Sequence, residues 1–441
     1  MPAPSFREAL RYWLKLGCIS FGGPAGQIAM MHRELVERRK WISDSHFLHA
    51  LNFCMLLPGP EAQQLATYLG WRMHGVRGGI AAGVLFVLPS VFILFALSWL
   101  YVQSARVPWL VPWLPAVFYG LLPAVIAIVA GALGRIGGKA LRSPALWAVA
   151  AGSFAAIYFG KVSFVIIIVA AALAGWLGNR WAPRQFPSGR GHGGAGKEEE
   201  PCAELRAVPA ATWRRAAGIA AVCLTLWWLP VLAAGLWLGW ESTTARQGVF
   251  FSQAALVTFG GAYAVLPYVA QQAVEHYKWL SYPQMTAGLG LAETTPGPLI
   301  MVLQFVGFVG GWQFPPDGWS RLAGATAGAL LTTWVTFLPC FLFIFLGGPH
   351  VEHLRNQPRL GAALTAITAA VVGVILNLAV FFGWHALWPD GWKEGVTAGG
   401  VDWFVLVVAV AAFVAMQRWK VGVMPVIGAC ALLGVLWKWW P

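Results

Sequence analysis

Charge is scarce in this sequence. Asp and Glu together number 17 among 441 residues, and charged residues of both signs make up 11%, less than half the share of an average soluble domain. A soluble globular enzyme is excluded on that ground. Motifs for intramembrane catalysis are also absent: there is no HExxH, no GxSxG and no acid-rich phosphate motif, so an enzyme is not expected. The six cysteines (Cys18, Cys54, Cys202, Cys223, Cys340 and Cys430) form no CxxC pair and mostly sit in apolar surroundings. They read as buried thiols, which excludes a disulfide frame and a thiolate metal site. No metal and no cofactor are expected. The amino-terminal stretch lacks the apolar core and cleavage site of a signal peptide, so the first membrane segment is expected to be retained.

What is present is apolar length. Hydrophobic residues make up 58% and mean hydropathy is +0.65. Windows near the roughly 20 residues that span hydrocarbon recur along the chain, among them 78–102, 144–159, 162–178 and 401–417. The fold class expected is an all-α polytopic membrane protein, with the lipid bilayer as its surroundings. A net charge of +13 would suggest nucleic acid in a soluble protein. Here the basic residues lie in short loops beside apolar spans, where they set orientation, and nucleic acid is excluded as a partner.

The chain is internally duplicated. "FGG" at Phe21 returns at Phe259, "VERRKWIS" at Val36 returns as "VEHYKWLS" at Val274, and "PGP" at Pro58 returns at Pro296, every time 238 residues on. The likeness continues in "LPSVFILF" from Leu88 and "LPCFLFIF" from Leu338, where the second copy has gained twelve residues. Four parts follow: a first membrane half over 1–178, a Gly- and charge-rich polar linker over 179–215, a connecting apolar segment over 216–240, and a second half over 241–441. Each half opens with two segments broken by Pro or Gly, at about 8–31 and 46–70 and again at about 248–272 and 283–312. Treating these four as re-entrant hairpins keeps most of the 30 Lys and Arg on the cytoplasmic side with the N-terminus and the linker, whereas threading them through moves Arg33, Arg38, Arg39 and Lys40 outside. The positive-inside rule prefers the hairpins. Each half then crosses an even number of times, the single segment after the linker flips the second, and the halves are inverted repeats.

Only two acids lie well inside apolar windows, Glu61 just after the first PGP and Glu293 just before the second. An intramembrane carboxylate is costly and points to function, although an acid in the first turn after Pro60 equally suits a helix dipole. A Pro-Gly-Pro break leaves a helix amino terminus with unpaired N–H groups at membrane depth, tolerated only where it faces protein or a cavity, and attractive to anions. The candidate binding set is therefore Pro58, Gly59, Pro60, Glu61, Gln63 and Gln64 with Gly22 and Gly23 from the first half, and Glu293, Thr294, Thr295, Pro296, Gly297 and Pro298 with Gly260 and Gly261 from the second. Glu61 and Glu293 are also candidates for proton coupling. Two facing helix ends supply about one positive charge, short of neutralising a dianion, and Lys40 and Lys278 in the duplicated "KW" pairs are the candidates to make up the difference. His46 and His49 beside Asp44 read as interfacial residues.

By the stretches "SFGGPAGQIAMMHRELVERRKWIS", "LLPGPEAQQLATYLGWRMHGVRGG", "FGGAYAVLPYVAQQAVEHYKWLS" and "LAETTPGPLIMVLQFVGFVGGW", the chain resembles the CHR family of chromate ion transporters, in the long two-domain bacterial form. The resemblance implies an inner-membrane protein that exports chromate and confers resistance, with sulfate as an isosteric competitor, driven by the membrane potential or a proton gradient. A homodimer is compatible with it. The competing expectation is a carrier of another small inorganic oxyanion, such as sulfate, working in uptake or exchange.

Overall fold

The computed structural model describes residues 4–21, 23–104, 113–187, 212–259, 261–350, 357–388 and 400–439, and over these residues the regular structure is helical with no strand. That is what a lipid surrounding dictates, since helices satisfy every backbone polar group within the segment. Six of the described helices are long and apolar enough to cross a membrane. Large apolar side chains such as Phe92, Leu236, Trp237 and Leu432 point outward, exposed, as they would toward acyl chains.

The first two helices, α1 (Phe6–Ile19) and α2 (Gly23–His32), have 14 and 10 residues, each too short to span. They form a re-entrant hairpin. After a π-helical turn over Arg33–Arg38, the Arg39 guanidinium reaches back to Glu8 at the start of α1 at 3.2 Å and lies over the rings of Tyr12 and Trp41. The chain thus leaves on the side it entered. Arg39 Nε also donates to Glu34 at 2.9 Å, and this bond holds the Glu34 carboxyl below the usual carboxylate range. A lowered folded-state pKa makes the contribution present at neutral pH and lost as pH falls through it. Arg39→Gln is expected to lower stability by about 1–2 kcal/mol, seen as an earlier unfolding midpoint in detergent, with the difference from wild type shrinking in acid.

The second hairpin pairs α3 (Asp44–Cys54) with the first arm of α4 (Glu61–Ser104). This long helix is not one rod: His74 and Gly75 leave helical geometry, Gly75 at φ 69°. A Cβ on Gly70 would meet the Gly78 carbonyl at 2.5 Å, whereas eight residues of straight helix separate atoms by about 12 Å. The chain therefore doubles back at Gly75, which supplies the positive φ the reversal needs. Residues 61–73 return to the starting side, where His74 bonds the Pro4 carbonyl at 2.8 Å, and 76–104 form the first full-length helix. Then come α5 (Trp113–Ala140), the shorter α6 (Pro144–Tyr158) and α7 (Phe164–Trp181). Most of the polar linker, 188–211, lies outside the described residues.

After α8 (Trp213–Leu238), the pattern repeats with α9 (Thr243–Leu256) and α10 (Ala262–Gln271), a second π turn over Gln272–His276, then α11 (Tyr282–Thr294) and α12 (Val302–Gln313). Gln313 Nε2 donates to Gln284 Oε1 at 3.0 Å and ties the open end of this last hairpin. Long α13 (Arg321–Gly347), α14 (Pro358–Leu387), α15 (Trp403–Arg418) and α16 (Val423–Trp439) complete the chain.

The halves run in opposite directions. The outer arm of α4 and α13 carry the equivalent "LPSVFILF" and "LPCFLFIF", yet Gly79 faces Phe345 while Gly83 faces Phe341, so these two equivalent helices pack antiparallel. The scaffold helices are exchanged between halves. α14 of the second half packs on α6 and α7, with Gly373 against the Ala150 carbonyl and Gly175 against that of Ala362; α5 of the first packs on α15 and α16, with Gly120 against the Cys430 carbonyl. Small residues allow this close backbone approach, which stands in for hydrophobic drive inside lipid.

Candidate functional site

The two PGP breaks bond reciprocally across the halves. Gly59 N–H donates to the Thr258 carbonyl at 2.7 Å, and Gly297 N–H donates to the Ser20 carbonyl at 2.9 Å. Residues 20 and 258, like 59 and 297, are 238 apart, so one bond is drawn twice, once from each half. That reciprocity is what a two-fold relation produces. Both glycines hold left-handed backbone, φ 132° at Gly59 and 109° at Gly297. Each also abuts the opposite half: a Cβ on Gly59 would lie 2.9 Å from Cys340 Sγ, and one on Gly297 would lie 2.5 Å from Ser90 Oγ. Ser90 and Cys340 are themselves equivalent, each following a duplicated Leu-Pro.

Four helix amino ends meet here, not two. The Phe-Gly-Gly stretches start α2 and α10, and the PGP breaks start α4 and, through a 3-10 turn over Leu299–Met301, α12. Glu61 Oε1 lies 3.8 Å from where a Gly261 Cβ would sit, and the Tyr263 hydroxyl lies 3.8 Å from the same position on Gly23, which joins the α4, α10 and α2 starts. Gln27 Nε2 on α2 donates to the Gly297 carbonyl at 2.5 Å and to that of Ser20 at 3.3 Å, which joins the α12 start. At about half a charge each, four ends supply about two positive charges, matching a dianion. Counting two ends from sequence understated this, because the Phe-Gly-Gly stretches, placed in the candidate set for their glycines, also begin helices. Gly22 and Gly260 lie outside the described residues.

The lining is amide-rich. Gln64 Nε2 donates to the Pro58 carbonyl at 2.7 Å and Gln304 Nε2 to that of Val91 at 2.8 Å. Gln63 is fully buried, and neither its Oε1 nor its Nε2 has a partner among the described residues; Oε1 of Gln27, Gln64 and Gln304 and Oγ of Ser20 are likewise unpartnered. Buried polar atoms left so cost about 1–3 kcal/mol each, a cost offset where water or a polar ligand meets them. Gln27 and Ser20 escaped the sequence reading; the only available signal was their closeness to the first Phe-Gly-Gly. Thr294 and Thr295 spend their hydroxyls on the Leu291 carbonyl at 2.8 and 2.7 Å. Glu293 is buried and accepts from the Tyr263 hydroxyl at 2.7 Å. Half-buried Glu61 accepts no hydrogen bond at its carboxylate among the described residues, and the two acids occupy non-equivalent positions of the repeat.

Lys40 and Lys278 are not brought to the breaks. Each follows a π turn at the open end of its hairpin with φ of 50° and 55°, and the next residue closes the turn: Trp41 N–H donates to the Leu35 carbonyl at 2.9 Å, Trp279 N–H to that of Ala273 at 2.8 Å. The duplicated "KW" thus marks a left-handed helix cap. Glu37 pairs with His32 at 3.3 Å and Glu275 accepts from the Tyr282 hydroxyl at 3.2 Å. Asp44, close in sequence to His46 and His49, pairs with His32 at 2.7 Å. Lys278→Gly is expected to leave the transport KM within twofold of wild type, since Gly tolerates this backbone and no charge leaves the centre; a tenfold rise in flux assays would contradict that.

A cavity of about 760 Å³ lies at the open end of the α11–α12 hairpin, lined by Tyr101, Tyr119, Gln284, Trp312, Gln313 and Arg321 among others; none of the break residues lines it.

Oppositely directed repeats, discontinuous helices and a shared electropositive centre define the architecture of a membrane transporter. The chain belongs to the chromate transporter family, which matches residues 7–176 and 246–435. It is 30% identical over 380 residues to the chromate transport protein of Cupriavidus metallidurans, covering 86% of this chain and 83% of that one. To the chromate transport protein of Pseudomonas aeruginosa it is 34% identical, covering 85% and 80%, and to the probable chromate transport protein of Synechococcus elongatus 28% identical, covering 88% and 86%. No solved structure matches the chain.

Proposed function

We propose that this protein carries chromate, a tetrahedral divalent oxyanion, out of the cytoplasm across a bacterial inner membrane and so confers chromate resistance, with sulfate competing for the same site. The observation that carries the reading is the meeting of four helix amino ends at two reciprocal breaks, in a chain whose relatives include chromate transport proteins. The proposed site comprises the backbone around Gly23, Gly59, Gly261 and Gly297 with Gln27, Gln63 and Gln64. The N-terminus and the linker face the cytoplasm, and the halves over 1–178 and 241–441 move against each other about the shared centre.

Energetics favour export. A charge crossing the membrane gains about 2.3 kcal/mol per 100 mV, so a dianion leaving a negative interior gains about 4.6 kcal/mol, on the order of a thousandfold gradient. Protons moving inward through Glu61 and Glu293 would add to that drive. Radiolabelled chromate flux in proteoliposomes, with imposed voltage and pH gradients and added sulfate, tests the reading. Voltage-driven chromate movement toward the positive side, reduced by sulfate, is expected. Flux of sulfate with none of chromate would overturn it.

A further inference from the structure

The cavity at the open end of the α11–α12 hairpin takes its walls from both halves. Tyr101 and Val102 lie at the end of α4, Phe118 and Leu122 in the first turns of α5, and Val309 and Trp312 on α12. It sits at the face where α5 begins. The linker leaves the opposite face, where Ser143, just after α5, donates to the Gln185 carbonyl at 2.5 Å. Exposed Trp113 and Trp439, close in sequence to the lining residues Pro115 and Lys438, stack at 4.5 Å, as indoles do where a protein meets lipid headgroups.

The chemistry of the lining is graded. Toward the breaks it is apolar, with Val102, Phe118, Leu122 and Val309. There the Tyr101 ring packs on Phe118 at 4.9 Å and on the fully buried Phe305 at 5.3 Å, and Phe305 stands along α12 between the cavity and the second break. Cations and donors stand at the rim. Arg321 and Lys438 are exposed, and neither forms an ion pair among the described residues. Arg321 is the first residue of α13, the electropositive end of that helix, where the dipole disfavours a cation. Gln284 Oε1 accepts from the Ser281 N–H at 2.8 Å and from Gln313 Nε2 at 3.0 Å, so the group this amide has left to bond with is its NH2. No Asp or Glu is among the described lining residues. The Tyr119 hydroxyl donates to Asp402 at 2.6 Å, and that carboxylate also caps α15 at the Val405 N–H.

We infer that this cavity binds an anionic phospholipid from the leaflet away from the linker. The phosphate meets Arg321, Lys438 and the Gln284 NH2, and an acyl chain lies along Val102, Leu122 and Val309. Size and lining decide against the transported anion as occupant. A volume of about 760 Å³ falls among pockets of roughly 300–1,000 Å³ that enclose whole organic ligands, whereas a tetrahedral oxyanion, one atom and its oxygens, would leave most of it unfilled against apolar walls. A basic pocket between membrane helices holds an anionic headgroup by charge and the chain by burial. Because the walls belong to both halves, the bound lipid joins them at this face. The inference rests on the membrane placement of the chain and is independent of which anion is carried.

The test uses the full chain purified in detergent, freed of co-purified lipid, and titrated with dioleoylphosphatidylglycerol or the zwitterionic dioleoylphosphatidylcholine. Native mass spectrometry and the unfolding midpoint are read on the same samples. Wild type is expected to hold one phosphatidylglycerol at least about tenfold more tightly than phosphatidylcholine, since two cations face the headgroup, and to unfold at a higher temperature with it. Arg321→Gln with Lys438→Gln should abolish the preference, and because both side chains are exposed the double variant is expected to fold. Leu122→Trp narrows the apolar part with both cations in place and should weaken both lipids. A double variant that keeps the preference, or a Leu122→Trp variant that keeps the wild-type affinity, overturns the inference. Glycerol phosphate, the headgroup without its chains, should leave the midpoint unchanged; a shift equal to that of the lipid would mean a site for free phosphate and would overturn it too. Chromate that protects wild type without lipid, and fails to protect the double variant, would make the cavity a mouth for the transported anion and equally overturn it.

Discussion

Gly297→Ala is expected to reduce chromate flux at least a hundredfold. A side chain at φ 109° costs about 1–3 kcal/mol in backbone strain, and here the new Cβ would also sit 2.5 Å from Ser90 Oγ on the opposite half. Relief requires the break to move, which would pull the Gly297 amide from the Ser20 carbonyl and with it the start of α12. Adding Ser90→Gly removes the overlap but not the strain, so it should restore part of the stability and little of the flux. Gly59→Ala should behave alike, since its Cβ would meet Gln64 and Cys340 at φ 132°. Gly152→Ala is the control: it lies in α6 with open space around it and is expected to leave flux within twofold. Proteoliposome flux and the unfolding midpoint, measured on the same preparations, check all four. Normal flux in Gly297→Ala would show that the break does not shape the transport site.

The second large effect concerns Glu61. An ionised carboxylate about 6 Å from a dianion opposes it by roughly 5 kcal/mol at an effective dielectric near 20. Among the described residues no hydrogen bond holds the Glu61 carboxylate, so a proton is the simplest compensation when an anion binds beside Gly261. The sign follows directly. Binding then takes up a proton, so apparent affinity in wild type falls as pH rises. Glu61→Gln keeps the shape without the charge. It is expected to flatten that dependence and, at alkaline pH, to bind chromate at least tenfold more tightly than wild type. Flux against pH with the voltage clamped by an ionophore reads both effects, and a Glu61→Gln variant with the wild-type slope would remove Glu61 from proton coupling.

Much of the architecture was legible because it is written in local chemistry. Low charge, apolar windows and the 238-residue repeat needed no folding to be read, and neither did the two broken segments in each half. The reversal inside α4 was less visible, because His74-Gly75 interrupts a run that is otherwise apolar and helical throughout. The duplicated lysines misled for a related reason. A left-handed helix cap filled by Lys resembles any basic loop residue until its φ is known, and repetition preserves structural positions as faithfully as functional ones.

By itself, the sequence determined a helical membrane protein of two oppositely directed copies, with paired interruptions and two acids inside lipid, since hydrophobicity, proline and glycine act within a few residues of where they stand. Only the tertiary structure decided that Gly59 bonds Thr258 while Gly297 bonds Ser20, that four helix ends share one centre, that Gln27 braces it, and that Lys40 and Lys278 cap their hairpins at the far end. Those are contacts between segments far apart in the chain, set by how the halves pack against each other, and no local pattern encodes which partner a backbone amide will find.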